Sequence, residues 1–155
     1  MDSYNLYLSY LSMMEYCQNE KVFLHFDKAI KAIDATFQQG YTRGKGFQYK
    51  KFQFSGKHKT YGWKMEVAVG PDGLARCALP TYPGSFHNMK IFKRHINKHL
   101  SCLTKEDGNV CKPDDMIVDA DKEVNMWATL MDWGYNGAGK LGRFLMPKKE
   151  LLTQS

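Results

Sequence analysis

The sequence predicts an α/β fold in which a block of antiparallel strands comes first and short strands follow a helix. Three observations carry this reading. Residues 61–69 are rich in β-formers and alternate, with Trp63, Met65, Val67 and Val69 on one face and Lys64 and Glu66 on the other, the period-2 pattern of a strand. Pro71-Asp72-Gly73 is a strong turn signal, so residues 74–79 return as an adjacent strand. Ser85 stands where an N-cap belongs, and Met89, Phe92, Ile96, His99 and Leu100 then recur at helical spacing to about Leu103.

The other elements fall into place around these. Residues 4–18 carry Tyr4, Leu6, Tyr7, Leu8, Leu11, Met14 and Tyr16 mostly at helical spacing and predict an amphipathic helix. Ala29 to Phe37 alternates as a strand, and Gly40, Gly44 and Gly46 mark a loop or hairpin turn. Lys51 to Ser55 also alternates, which gives a meander of three or four strands ending at Pro80 and Pro83-Gly84. Lys105 to Asp115 is polar and reads as an exposed loop. Trp127 to Met131 is a short apolar strand ending in Asp132, and Gly134, Gly137, Gly139 and Gly142 break the chain before a last strand, Phe144 to Met146. The division expected is an N-terminal helical segment over 1–28 and a domain over 29–155.

With 155 residues, 43% of them hydrophobic, the chain suits one globular domain with a real core. No stretch approaches the ~20 apolar residues of a membrane span, and residues 1–19 lack the pattern of a signal peptide; the expectation is a protein neither exported nor membrane-bound. The formal charge of +6 suits a polyanionic partner. From Lys28 to Lys64, lysine and arginine far outnumber acids and are interleaved with Phe37, Tyr41, Phe47, Tyr49, Phe52, Phe54, Tyr61 and Trp63. Such a stretch either lines a DNA path or is a solvated strand pair whose aromatics face a core. Cys17, Cys77, Cys102 and Cys111 form no CxxC pair and are expected to be reduced. His95, His99, Cys102 and Cys111 are ligand types that suit zinc, at a spacing that fits no zinc module known to us.

Two acids stand out. An aspartate inside the strand Ile33-Asp34-Ala35-Thr36 costs strand propensity and burial energy unless it is ligated or solvated in a cleft, and Asp132 closes an apolar strand. Ends of adjacent strands bring such carboxylates together, where like-charge repulsion favours a divalent cation and hard oxygen ligands select Mg2+ or Mn2+. The bland alternative is a pair of turn or cap residues.

Five segments then resemble, in order, the DDE superfamily endonuclease domain of PIF/Harbinger-type transposases and their domesticated relatives. These are residues 32–36 (Ala-Ile-Asp-Ala-Thr), residues 54–67 with Ser-Gly-Lys-His-Lys and Tyr-Gly-Trp-Lys, residues 70–74, residues 82–88 (Tyr-Pro-Gly-Ser-Phe-His-Asn), and Trp127 with residues 130–138 and 146–149. The resemblance implies a ribonuclease-H-like mixed sheet, a three-stranded antiparallel meander plus short parallel strands with flanking helices, incomplete at the C-terminus. It implies Asp34 and Asp132 as catalytic metal ligands for Mg2+ or Mn2+, and Lys57, Lys59 and Lys64 near DNA phosphates. It further implies a nuclear protein acting on DNA, aided by a separate DNA-binding protein or by self-association. Asn88 departs from the aspartate usual there, which weakens any metal role for it. The family's third acid lies on a helix well beyond the Pro-Lys-Lys run, whereas Glu150 follows the lysines directly, so the chain alone is expected to cut DNA weakly or not at all. A non-catalytic module that binds DNA or a protein partner is the alternative.

Overall fold

Alternation in Ala29–Gln39 builds the strand on which the rest of the sheet is laid. The computed structural model describes residues 22–26, 28–42, 46–104 and 126–147. In chain order they form β1 (Ala29–Gln39), α1 (Phe47–Gln53), β2 (Phe54–Ser55), β3 (Thr60–Val69), β4 (Ala75–Ala78), β5 (Tyr82–Pro83), α2 (Asn88–Arg94), α3 (Ile96–Ser101), β6 (Ala128–Met131) and β7 (Phe144–Leu145). The helix predicted over 4–18 and the loop predicted over 105–115 lie outside the described residues. No described helix is long and apolar enough to cross a membrane.

The seven strands make one mixed sheet. β1 pairs antiparallel with β3, from Ala32↔Val69 to Gln39↔Gly62, and parallel with β6, where Ala32 faces Leu130 and Ile33 faces Met131. The far edge of β3 is taken in turn by β4, β5 and β2, all antiparallel. β7 extends the sheet beyond β6 as a second parallel strand. The predicted order, an antiparallel meander followed by short parallel strands with helices alongside, is therefore the observed one. The β3–β4 turn is built from the residues that signalled it: Gly73 takes φ +79° and donates to the Gly70 carbonyl at 3.0 Å, a left-handed conformation at low cost only for glycine. Asp72 accepts from Leu74 N at 3.1 Å and pairs with Arg76.

Two expectations are corrected, and the inward face of β3, which the alternation alone left open, is set. Residues 51–55 do not extend β2 backwards: α1 runs to Gln53, and only Phe54 and Ser55 are strand. Gln53 is buried and its amide donates to the Tyr49 hydroxyl at 3.1 Å across one helical turn, a contact available at spacing i, i+4 and not in a strand. The inward face of β3 is the opposite of the one its hydropathy suggests. Gly62, Glu66 and Ala68 are buried, while Trp63, Met65, Val67 and Val69 are only partly so. Finally, the helix after Ser85 starts three residues later and is broken. His87 is the N-cap, accepting from Met89 N at 3.4 Å, and His95 separates α2 from α3 at φ −116°.

The core lies between the sheet and α2–α3. Phe92, with 0% exposure, is its hub. It meets Tyr135 edge-on at 5.8 Å, Phe144 edge-on at 5.0 Å and the His99 ring face-on at 4.9 Å, geometries that suit the ring quadrupoles. Ile33, Ala68, Leu103, Trp127 and Met131 complete the cluster.

Gly62 fixes how closely β1 and β3 approach. A Cβ there would overlap the Gln38 carbonyl and stand 2.7 Å from Phe37 Cζ. Gly62→Ala is expected to lower the unfolding free energy by about 1–3 kcal/mol, as overpacking does; a chemical denaturation curve unchanged from wild type would show that this contact does not constrain the sheet.

Candidate functional site

β6 stops pairing at Met131, opposite Ile33, and the next residue on each strand is an aspartate. Neighbouring strands lie ~4.8 Å apart, so parallel register places Asp34, midway along β1, beside Asp132 at the carboxyl end of β6. Beyond this point β1 continues along β3 while the chain after β6 turns away into two 3-10 turns, Trp133–Tyr135 and Ala138–Lys140. The sheet thus opens at the two acids. Crevices of this kind, outside the carboxyl ends of strands where the chain departs in different directions, are where open α/β sheets bind ligands.

Each carboxylate is held at one oxygen by a backbone amide. Asp34 Oδ1 accepts from Ala35 N at 2.7 Å, and Asp132 Oδ1 accepts from Gly134 N at 2.8 Å, capping the 3-10 turn. The second oxygen of each has no hydrogen-bond partner among the described residues. The described residues contain four acids against fourteen lysines and arginines. Glu66 is buried against His99 and Asp72 is paired with Arg76. Asp34 and Asp132 are therefore the two carboxylates among the described residues not committed to a cationic or histidine partner, and the strand register sets them next to each other.

Asn88 and Lys64 approach the same place. The Lys64 ammonium donates to the Phe86 carbonyl at 2.7 Å and to Asn88 Oδ1 at 3.3 Å. Burial, and then the neighbouring Lys57, hold its pKa below the usual lysine value. Asn88 Nδ2 and Asp132 Oδ1 both lie 2.9 Å from the point where a Cβ on Gly134 would stand. The amide thus offers its oxygen to Lys64 and its NH2 to the Asp132 side, the orientation of a donor to the carboxylate rather than of a metal ligand. Lys64 is turned inward to hold it. Lys57 and Lys59 stay exposed in the turn between β2 and β3, Lys59 at φ +56°.

Behind the carboxylates lies a buried polar group that sequence reasoning did not single out. Glu66 Oε1 meets His99 Nε2 at 2.8 Å, and Lys31 donates to the His99 carbonyl at 3.2 Å. Tyr135 is fully buried. Its hydroxyl, buried without a hydrogen-bond partner among the described residues, is pushed above the usual tyrosine range by burial first, then by Glu66, and further by Asp34 and Asp132. Lys31, 1% exposed, is shifted below its ordinary value of 10.5 by burial, against the opposing pull of Cys102, Cys77 and Glu66. The signal for this group was present in Glu66, an acid in a strand whose neighbours on the same face are inward.

The described members of the zinc reading, His95, His99 and Cys102, are each engaged elsewhere. His95 Nε2 is 2.6 Å from the Tyr82 hydroxyl, His99 faces Glu66, and Cys102 Sγ donates to the Lys98 carbonyl at 3.1 Å. Cys111 lies outside the described residues, and among those described no three His, Cys, Asp or Glu side chains converge as a metal cluster. Cys77 and Cys102 are free thiols. No known protein family, curated protein or solved structure matches this chain.

Lys31 yields a pH test. The unfolded chain keeps the lysine proton to higher pH than the folded one, so between the lowered folded pKa and 10.5 the unfolded state binds more protons and stability rises with pH. The stability of wild type relative to Lys31→Met is expected to increase from pH 7 towards 10.5. A difference that stays constant over this range would mean that Lys31 is not a buried ammonium.

Proposed function

We propose that this chain is the metal-binding core of a DNA-cleaving domain, ribonuclease-H-like in fold and related to the DDE endonuclease domain of PIF/Harbinger-type transposases, with Asp34 and Asp132 as metal ligands and with little or no cleavage by the chain alone. The observation that carries the reading is that the parallel pairing of β1 with β6 ends just before Asp34 and Asp132, two uncommitted carboxylates among described residues that are otherwise mostly cationic. The sheet supports it too: the meander lies on one side of β1 and the parallel strands on the other, the order a ribonuclease-H-like core requires.

The donor set fits Mg2+ or Mn2+. Two carboxylates, each with one oxygen unengaged, supply hard oxygen donors, and Mg2+ is commonly held by one or two carboxylates plus water and substrate phosphate. A bound ion supplies Lewis-acid polarisation of a phosphodiester and stabilises the charge that develops on its oxygens. The protein's own part is positional. Backbone amides hold Asp34 and Asp132, Lys64 fixes the Asn88 amide beside Asp132, and Lys57 and Lys59 offer exposed ammonium groups to the DNA backbone. A non-catalytic DNA-binding module is the second reading, favoured by the Asn88 amide standing where the family it resembles carries an acid.

Manganese binding followed by calorimetry, together with nicking of supercoiled plasmid, tests both. Under the first reading Mn2+ binding is lost in Asp34→Asn and in Asp132→Asn, and any Mn2+-dependent nicking is lost with it. Nicking that persists in both variants would defeat that reading, while DNA retention without Mn2+ binding in wild type selects the second. Asn88→Asp adds a charge beside Asp132 and is expected to tighten Mn2+ binding about ten-fold; no change would place Asn88 outside the ion's reach.

A further inference from the structure

We propose that α1 and α2 together form a surface for single-stranded nucleic acid, in which exposed aromatic rings stack unpaired bases and flanking cations hold the phosphates. No acid occurs over residues 46–65 or 81–104, the two segments that build this surface. α1 presents its aromatics outward, with Phe47 76% and Phe52 49% exposed. Phe52 meets Phe86 edge-on at 6.0 Å, which joins α1 to the segment leading into α2. There the rings are faced by cations: the Lys90 ammonium lies 4.7 Å from the Phe86 centroid, and the Arg94 guanidinium lies 5.1 Å from Phe86 and 5.6 Å from Tyr82. A shallow open groove lined by His87, Met89, Lys90, Lys93 and Arg94 continues along α2.

The chemistry of this belt selects its occupant. Large aromatic rings left in water are costly unless something covers them, and a row of cations without acids repels a basic partner. Duplex DNA would satisfy the cations but keeps its bases stacked inside, leaving Phe47 and Phe52 uncovered. A single strand satisfies both, because each unpaired base brings a π-face and each linkage a phosphate. The rings already faced by Lys90 and Arg94 hold those cations in place for phosphate, while Phe47, which has no ring or cation partner among the described residues, is left for a base. Asn88, beside Asp132, is the first residue of α2, so a strand lying along this helix leads to the two carboxylates. The proposal deepens the nuclease reading by naming the form of the strand, but it stands on binding alone.

The test is fluorescence anisotropy of the full chain with a labelled oligothymidylate of about 16 nucleotides, in EDTA so that no divalent cation contributes. The single strand is expected to bind at least about ten-fold tighter than a duplex of equal length, with affinity falling as salt rises. Phe47→Ala and Phe52→Ala should each weaken binding about five-fold or more, and Phe47→Trp should retain it with indole quenching on binding. Lys90→Ala with Arg94→Ala should weaken binding and flatten the salt dependence. Thermal unfolding of each variant separates lost contact from lost fold, and the highly exposed Phe47 serves if Phe52→Ala is unstable. Equal or tighter duplex binding, aromatic variants without effect, Phe47→Trp binding without quenching, polyglutamate competing as well as unlabelled oligothymidylate, or self-association that blocks the surface would each overturn the proposal. Loss of Mn2+ binding in Asp34→Asn with single-strand binding intact supports it and leaves the two readings separate.

Discussion

The parallel pairing of β1 with β6, ended at Ile33 and Met131, is the constraint on which the candidate site depends. Antiparallel pairing would set acids that follow Ile33 and Met131 on opposite sides of that last pair; parallel pairing brings them out on the same side. Register matters as much as direction. Side chains alternate with period 2, so a slip of one residue would turn Ile33 out of the core and Asp34 into it. The buried contacts of Ile33, Met131 and Phe92 therefore also set the positions of the acids, and the packing beneath the site determines its geometry above.

The same packing carries an unusual polar load. Glu66, His99, Lys31 and Tyr135 are all nearly or wholly buried on the helix side of the sheet. Burying charges is expensive unless each finds partners, and breaking one member of such a group leaves the others uncompensated. Glu66 and His99 tie β3 to α3, while Lys31 ties β1 to the same helix through the His99 carbonyl. His95, at the break between α2 and α3, is bonded to Tyr82 on β5. The two short helices are thus attached to three strands by polar contacts as well as by the Phe92 cluster.

Much of the sheet was legible because its strands obey local rules. β1, β3, β4, β6 and β7 each follow from alternation or an apolar run bounded by turn residues, and Pro71-Asp72-Gly73 performs as its chemistry requires. Local rules fail where a distant partner reverses them. The inward face of β3 holds Glu66 because His99, 33 residues away, receives it, and no hydropathy pattern contains that information. Residues 51–53 alternate like a strand yet end a helix, in which Gln53 bonds the Tyr49 hydroxyl one turn back and Phe52 faces outward. Asp34 and Asp132 were legible as strand acids in unusual positions, but their adjacency is a matter of register. The inward turn of Lys64 and the orientation of the Asn88 amide depend on a contact spanning 24 residues. The acid-free run over 81–104 was present in the sequence; its union with α1 needed the Phe52–Phe86 contact.

The chain's excess of 22 lysines and arginines over 16 acids also bears on how this surface responds to its medium. A divalent cation reaching Asp34 and Asp132 approaches against the summed positive field of the body, and added salt, with a Debye length near 10 Å at 0.1 M, screens that repulsion. A polyanion is drawn in by the same field and released as salt displaces it. A docked polyanion, by neutralising the lysines, makes the approach of the cation easier.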